Sequence, residues 1–427
     1  MTEGAGPGTP PATWRRVAGP LIRLLSGVGA AALATYVYLI VVARAVGPAE
    51  YAAFSAFWAV VVIAGTGIYL PIEQETARRA VDPHGRGRPR PLRRSAYTVA
   101  AVVTAVLAVL LLLLWPAVAG FFDGDALLAL ALVAGCAGYA AQYPARGLLS
   151  ARRQYGRYAA VLGSEALLRV VLVLALVALA EPGPGVLAAV VGVAACGSVV
   201  AGLVGAGSGE PVDAGGARAL LRSGAVLIVG AVALQTLLYG GVLVARILAP
   251  ASEDAAAGQL LAAITVTRIP VFLFQSLEAL VVPRIAELAA RGDVPGLRLA
   301  VRRLLGLVGT LAVTATAGAA LVGPQLVRLM FGPAYDVSHT TMTLLGLGTG
   351  VFMLAVAASD VTVSLRGHRQ VAVGWVADLA VAALSVVVFQ DFLARVTVPL
   401  IIGSAVVAVV LGMAARTRIA ATLPAAA

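Results

Sequence analysis

The sequence predicts an all-α polytopic membrane protein: twelve transmembrane helices in two six-helix lobes, with both termini on the cytoplasmic side. Three observations carry that prediction. Of the 427 residues, 60% are hydrophobic and 12% charged, about half the charged fraction of a soluble domain, which excludes a water-soluble globule and a disordered chain alike. Apolar stretches recur at the ~20-residue length that crosses a bilayer. The charges, finally, are sorted by position along the chain.

Taken in order, residues 1–20 form a cytoplasmic tail. The apolar run behind it, about 25 residues, is too long for a signal-peptide core, so it is the first span and stays in the mature chain. Spans at 21–45, 50–74, 96–119, 126–149, 158–180 and 186–206 make the N-lobe (21–206). A cytoplasmic linker, 207–222, leads to the C-lobe (223–414), with spans at 223–248, 257–283, 304–327, 340–364, 371–390 and 397–414. Residues 415–427 return to the cytoplasm. Cys136 and Cys196 lie inside apolar stretches without partners at ligand spacing and read as small buried hydrophobes.

All 31 basic residues are arginine. Twenty-five fall in the tails and in alternate loops (75–95, 146–157, 207–222, 284–303 and 366–370), whereas the opposite loops hold four, Arg44, Arg246, Arg328 and Arg395, among eight acids. The arginine-rich set marks the cytoplasmic face. The net charge of +11 therefore belongs to topology, and no nucleic-acid partner is implied. The chain contains no Asn, hence no N-glycosylation acceptor.

A repeat supports two lobes. Val42-Ala-Arg-Ala-Val-Gly-Pro-Ala49 aligns with Val244-Ala-Arg-Ile-Leu-Ala-Pro-Ala251 at an offset of 202, with Arg44/Arg246 and Pro48/Pro250 as its informative matches. Six helices per repeat keep the halves in the same orientation, so a cleft between them is expected.

Charges at membrane depth need a partner or a wet cavity, which makes them candidate functional groups. Span 5 carries Tyr158, Glu165 and Arg169 on one stripe, readable either as a self-satisfied Glu–Arg pair or as a substrate or coupling site. Asp378, in span 11, has no basic residue one turn on and is the better cation or proton site. Arg268, before Pro270 in span 8, shares an arc with Gln275 and Glu278; it either occupies a carbonyl freed by Pro270 or faces the cleft and binds a diphosphate through its planar fork. Gln235 and Tyr239 stand on one face of span 7 with Arg246, and their groups suit sugar hydroxyls. Candidate substrate-binding residues are thus Arg169, Arg268, Glu165, Gln235, Tyr239 and Gln275, and candidate ion-coupling residues Asp378, Glu165 and Glu278. Asp360 reads as an ion pair with Arg366, and Glu73 and Glu75 as interfacial partners of Arg78 and Arg79. No metal site, catalytic triad or cofactor motif is found, and a chain without lysine cannot complete a G-x-x-x-x-G-K-[ST] loop.

The stretch Ala43-Arg-Ala-Val-Gly-Pro-Ala-Glu-Tyr51 with Phe54-Ser-Ala-Phe-Trp58, the exit Pro71-Ile-Glu-Gln-Glu-Thr-Ala-Arg-Arg79 and Phe331-Gly-Pro-Ala-Tyr335 resemble the polysaccharide-transporter branch of the multidrug/oligosaccharidyl-lipid/polysaccharide exporter superfamily. The resemblance implies a multidrug-exporter-like (MATE-like) fold in a bacterial plasma membrane. It also implies a flippase that moves polyprenyl-diphosphate-linked oligosaccharide by alternating access, with membrane lipids, a glycan polymerase and glycosyltransferases as partners. The competing readings are a drug/cation antiporter of the same fold and a membrane glycan-modifying enzyme.

Overall fold

The computed structural model describes residues 12–81, 90–203, 212–213, 216–248 and 254–421. Residues 1–11, residues 82–89 of the arginine-rich loop, 204–211 and 214–215 around the linker, 249–253 with Pro250, and the last six residues lie outside the described residues. The described residues are helical almost throughout. In order, it runs α1 (Ala12–Val62), a π-helical segment (Ile63–Tyr69), α2 (Leu70–Val81), α3 (Leu92–Leu113), α4 (Trp115–Phe121), α5 (Ala126–Ala151), α6 (Tyr155–Leu179) and α7 (Pro184–Leu203). The second half holds α8 (Gly216–Leu248), α9 (Asp254–Thr267), α10 (Ile269–Arg291), α11 (Val294–Phe331), α12 (His339–Ser364), α13 (His368–Val388), α14 (Phe392–Val398), a second π segment (Pro399–Gly403) and α15 (Ser404–Ala421). A two-residue antiparallel ladder, Arg90–Pro91 against Val212–Asp213, ties two loops together.

Among the described residues, eleven helical runs are long and apolar enough to cross a membrane. The first, Gly29–Ala80, has 52 residues, about 78 Å of axis against a hydrocarbon core of ~30 Å, so it has the length of two crossings. The sequence places a loop between its first two spans; the structure instead continues the helix through a kink at Gly47, whose φ of 75° suits glycine. Several acids of the arginine-poor loops are helix caps. Asp125 accepts from the Leu127 amide at 2.8 Å and Asp391 from that of Ala394 at 2.8 Å, each satisfying an orphan donor of a first turn.

The surface is apolar, as a lipid-facing surface must be. Leu112, Leu321 and Val387 are each more than 70% exposed, which no soluble chain tolerates over so many positions. Inside, Tyr38, Tyr51, Phe54 and Phe57 are fully buried and pack ring on ring. In the first half α5 packs on α7, α2 and α3, and α6 on α1; in the second, α12 packs on α11, α10 and α15.

The halves meet where α9 lies on α1 and where α8 lies on the first π segment, α2 and α3. Gly258 marks the closest approach, since a Cβ there would overlap the Pro48 carbonyl. The repeat offset of 202 carries the π segment 63–69 onto 265–271, the stretch where α9 and α10 break at Arg268. Equivalent helices of the two halves thus leave α geometry at the same register.

Arg44 and Arg246, the repeat-related arginines, make reciprocal contacts across the halves. Arg44 Nε donates to the Met330 carbonyl at 2.7 Å and its Nη2 to that of Leu329, at the C-terminus of α11. Arg246 Nε donates to the Phe121 carbonyl at 3.0 Å, at the C-terminus of α4, and pairs with Asp123. Each cation caps the negative end of the other half's third predicted span. Tyr335 adds a hydroxyl donation to the Ala43 carbonyl at 2.8 Å; burial raises its pKa, so it remains a donor. The arginine-poor ends of the two halves are fastened together by these contacts.

Candidate functional site

Among the described residues, three clusters of buried polar side chains bear on a site, and they differ in whether their charges are matched. The first lies in the N-terminal half. Glu165 and Arg169, one turn apart on α6, form an ion pair; the other Glu165 oxygen accepts from Gln142 of α5 at 2.7 Å, which also reaches Ser198 of α7 at 2.9 Å. Arg169 donates to Thr35 of α1 at 3.2 Å and lies near the Tyr38 and Trp58 rings. Arg169 is 7% exposed. Four helices therefore surround a pair whose charges answer one another, which is the locally satisfied arrangement.

The second group joins α2, α5 and α6. Arg146 Nε stands 3.0 Å from Glu73, Tyr158 donates to the same carboxylate at 2.8 Å, and Arg146 donates to Tyr158 at 2.9 Å while covering the Tyr143 ring at 4.4 Å. From sequence, Arg146 counts only as a loop charge and Glu73 as a partner of Arg78 and Arg79. In the structure α5 stays helical through Pro144 to Ala151, which draws Arg146 inward, and it is Glu75 that binds Arg78 and Arg79. Ser223 of α8 joins that cluster by donating to Glu75.

The third group is different. A cavity of about 250 Å³ between α8, α9, α10, α12, α13, α14 and the second π segment is lined by Arg268, Arg395 and Asp378 together with Thr236, Thr267, Thr349 and Ser404; Arg395 is engaged by the Phe389 carbonyl and Gln390. Arg268 sits at the α9–α10 break, with its guanidinium carbon 4.1 Å from the Tyr239 ring centroid, a cation–π contact that holds it without neutralising it. Among the described residues it makes no side-chain hydrogen bond or ion pair. Asp378, 1% exposed, leaves Oδ1 without a hydrogen-bond partner. The π segment presses on that oxygen so closely that a Cβ at Gly403 would overlap it. Such bulges often accompany functional sites.

The predicted residues thus separate. Arg268 and Asp378 come together at this cavity, Tyr239 supports Arg268 from behind without lining it, and Glu165 and Arg169 are paired elsewhere. Gln235 is half-buried on α8 beside the lining Thr236 and does not line the cavity. The Gln275 side chain lies outside the described residues. Glu278 of α10 neighbours Asp360 of α12, and among the described residues Asp360 makes no ion pair with Arg366, the partner expected from sequence. Cys196, expected to be buried, is exposed on α7 among lipid-facing valines. Among the described residues, no group of three or more His, Cys, Asp or Glu is placed to hold a metal ion.

The sequence profile of a family described as "Polysaccharide biosynthesis protein" matches residues 21–289. An uncharacterized protein of Mycobacterium tuberculosis, Rv1510, is 27% identical over 397 residues, covering 91% of this chain and 89% of the relative. The fold is similar to that of a multidrug resistance MATE family transporter of the MOP superfamily in its inward-facing conformation, with a TM-score of 0.69, 15% identity and coverage of 92% and 95%. A MOP superfamily transporter from Pyrococcus furiosus matches with a TM-score of 0.65, 16% identity and 94% of each chain covered.

Proposed function

From the premise that the chain belongs to the polysaccharide biosynthesis family, the polysaccharide-transporter branch of the MOP superfamily, we propose that it flips a polyprenyl-diphosphate-linked oligosaccharide across a bacterial plasma membrane. The coarser statement, a multi-pass membrane transporter rather than an enzyme, follows from family and fold. The observation that carries the finer one is Arg268, an intramembrane cation that lines a cavity and is held by an aromatic ring, not by a carboxylate. An arginine in that situation presents its fork to phosphate oxygens, and the threonines and Ser404 around it offer hydrogen bonds to a polar head.

In this reading the arginine-rich face is cytoplasmic, and the Arg44 and Arg246 contacts close the outer face while the head group loads. Release outside requires those contacts to separate. Asp378, with its unengaged oxygen in the same cavity, is the group through which a cation or proton would couple to that change. The same carboxylate favours the second reading, a cation antiporter, in which Asp378 and not Arg268 meets the cargo. Proteoliposomes loaded with a fluorescent polyprenyl-diphosphate oligosaccharide separate the two. A flippase translocates it and loses that activity with Arg268→Ala; an antiporter ignores it and moves cationic dyes in an Asp378-dependent way.

A further inference from the structure

A second cavity, of about 670 Å³, opens between α11, α12 and α15 and shares no lining residue with the first. Its walls are Val301, Leu305, Val361, Met413 and Ile419 with further apolar side chains, and its polar lining consists of Arg298, Arg302 and Arg416. No carboxylate lines it. The three arginines are exposed, and among the described residues none makes a side-chain hydrogen bond or ion pair. What sets the site apart is that three cations without acidic partners converge on one apolar groove.

The placement along the helix is informative. α11 has 38 residues, about 57 Å of axis against a ~30 Å hydrocarbon core. Its far end is the one Arg44 caps, so its first turns, with Arg298 and Arg302 stacked four residues apart, reach the opposite headgroup layer. Arg416 lies near the end of α15, where neighbouring Arg418 binds the Leu365 carbonyl that closes α12. The groove thus offers an arginine rim at headgroup depth and apolar walls below it, matching the order of polar and apolar parts in a lipid.

We propose that this groove is a binding site for an anionic glycerophospholipid, with its phosphodiester among Arg298, Arg302 and Arg416 and an acyl chain along Val301, Leu305 and Met413. Basic pockets between transmembrane helices hold anionic headgroups in this manner, because a charge-assisted fork is strong at the membrane surface. The proposal is independent of what the protein transports.

The test is native mass spectrometry of the delipidated full-length protein titrated with dioleoyl phosphatidylglycerol. Arg298→Gln/Arg302→Gln/Arg416→Gln is compared with a charge-matched control, Arg94→Gln/Arg153→Gln/Arg222→Gln, whose positions are exposed on α3, the α5–α6 turn and α8. The expected result is one tightly retained phosphatidylglycerol, weakened about a hundredfold in the groove variant and unchanged in the control. Equal retention in the two variants overturns the proposal. So does equal retention of phosphatidylcholine, competition by inorganic phosphate at equal concentration, or preferential occupation of the groove by a polyprenyl diphosphate.

Discussion

At the scale of single residues, the molecule divides its buried charges into matched and unmatched ones. Glu165→Gln would leave Arg169 buried without its counter-charge, an expected loss of about 3–5 kcal/mol. Adding Arg169→Met removes the orphan and should recover most of that loss. Thermal unfolding in detergent checks both; a single variant as stable as the double one contradicts the pairing. Arg268→Ala should leave stability nearly unchanged, since its ring contact contributes little at a cavity wall, yet reduce transport ten- to hundredfold, the value of a hydrogen bond to a charged group. Arg268→Lys keeps the charge and loses the fork, and should fall between. Much of this was legible in the sequence. Arg268, Asp378 and the Glu165–Arg169 spacing are visible because charges are rare in apolar runs. Arg146 was not, because the sequence ends the span at 149 and says nothing of which way the last turn faces. Nor could it show that Asp360 meets Glu278, a pairing made by the packing of α10 on α12.

At the scale of elements, nearly every predicted span finds a helix, and the differences lie in how helices join and bend. A Gly-Pro turn reads as a break, but Pro48 at the first turn after Gly47 restarts a helix without losing a needed donor. The π segments leave hydrophobic periodicity almost intact, so no apolar pattern reports them. Close helix approach is equally silent, because a glycine contacting backbone looks like any other glycine. Gly258→Val is expected to push α9 from α1, since even a Cβ overlaps the Pro48 carbonyl. The cost should reach about 1–3 kcal/mol, as for an overpacked core, and appear as a lower unfolding temperature. Gly306→Ala, where a Cβ meets nothing within 4 Å, should not destabilise. Equal effects at the two glycines would show that α1 and α9 are not in such contact.

At the scale of the whole molecule, the motifs that mark the family are the parts that fasten the halves together. Arg44 and Tyr51 meet Met330, Phe331 and Tyr335 across 280 or more residues of sequence, a meeting that the separate motifs do not announce. If these contacts close one face, Arg44→Ala/Arg246→Ala should open it. A cysteine at Ala52, now 1% exposed, in a Cys136→Ala/Cys196→Ala background, should then react with an impermeant maleimide at least about tenfold faster, the effect of removing some 1.4 kcal/mol from the closed state. An unchanged rate would mean that the arginines do not hold that face shut. The central claim rests on Arg268, the cavity cation held by a ring and by no hydrogen bond among the described residues. Its most direct measurement is the translocation rate of a fluorescent polyprenyl-diphosphate oligosaccharide in proteoliposomes, wild type against Arg268→Ala at equal reconstitution. Translocation that is lost at least about tenfold in the variant is the predicted result; a wild-type protein that leaves the lipid in its original leaflet, or a variant that flips it at the wild-type rate, contradicts the account.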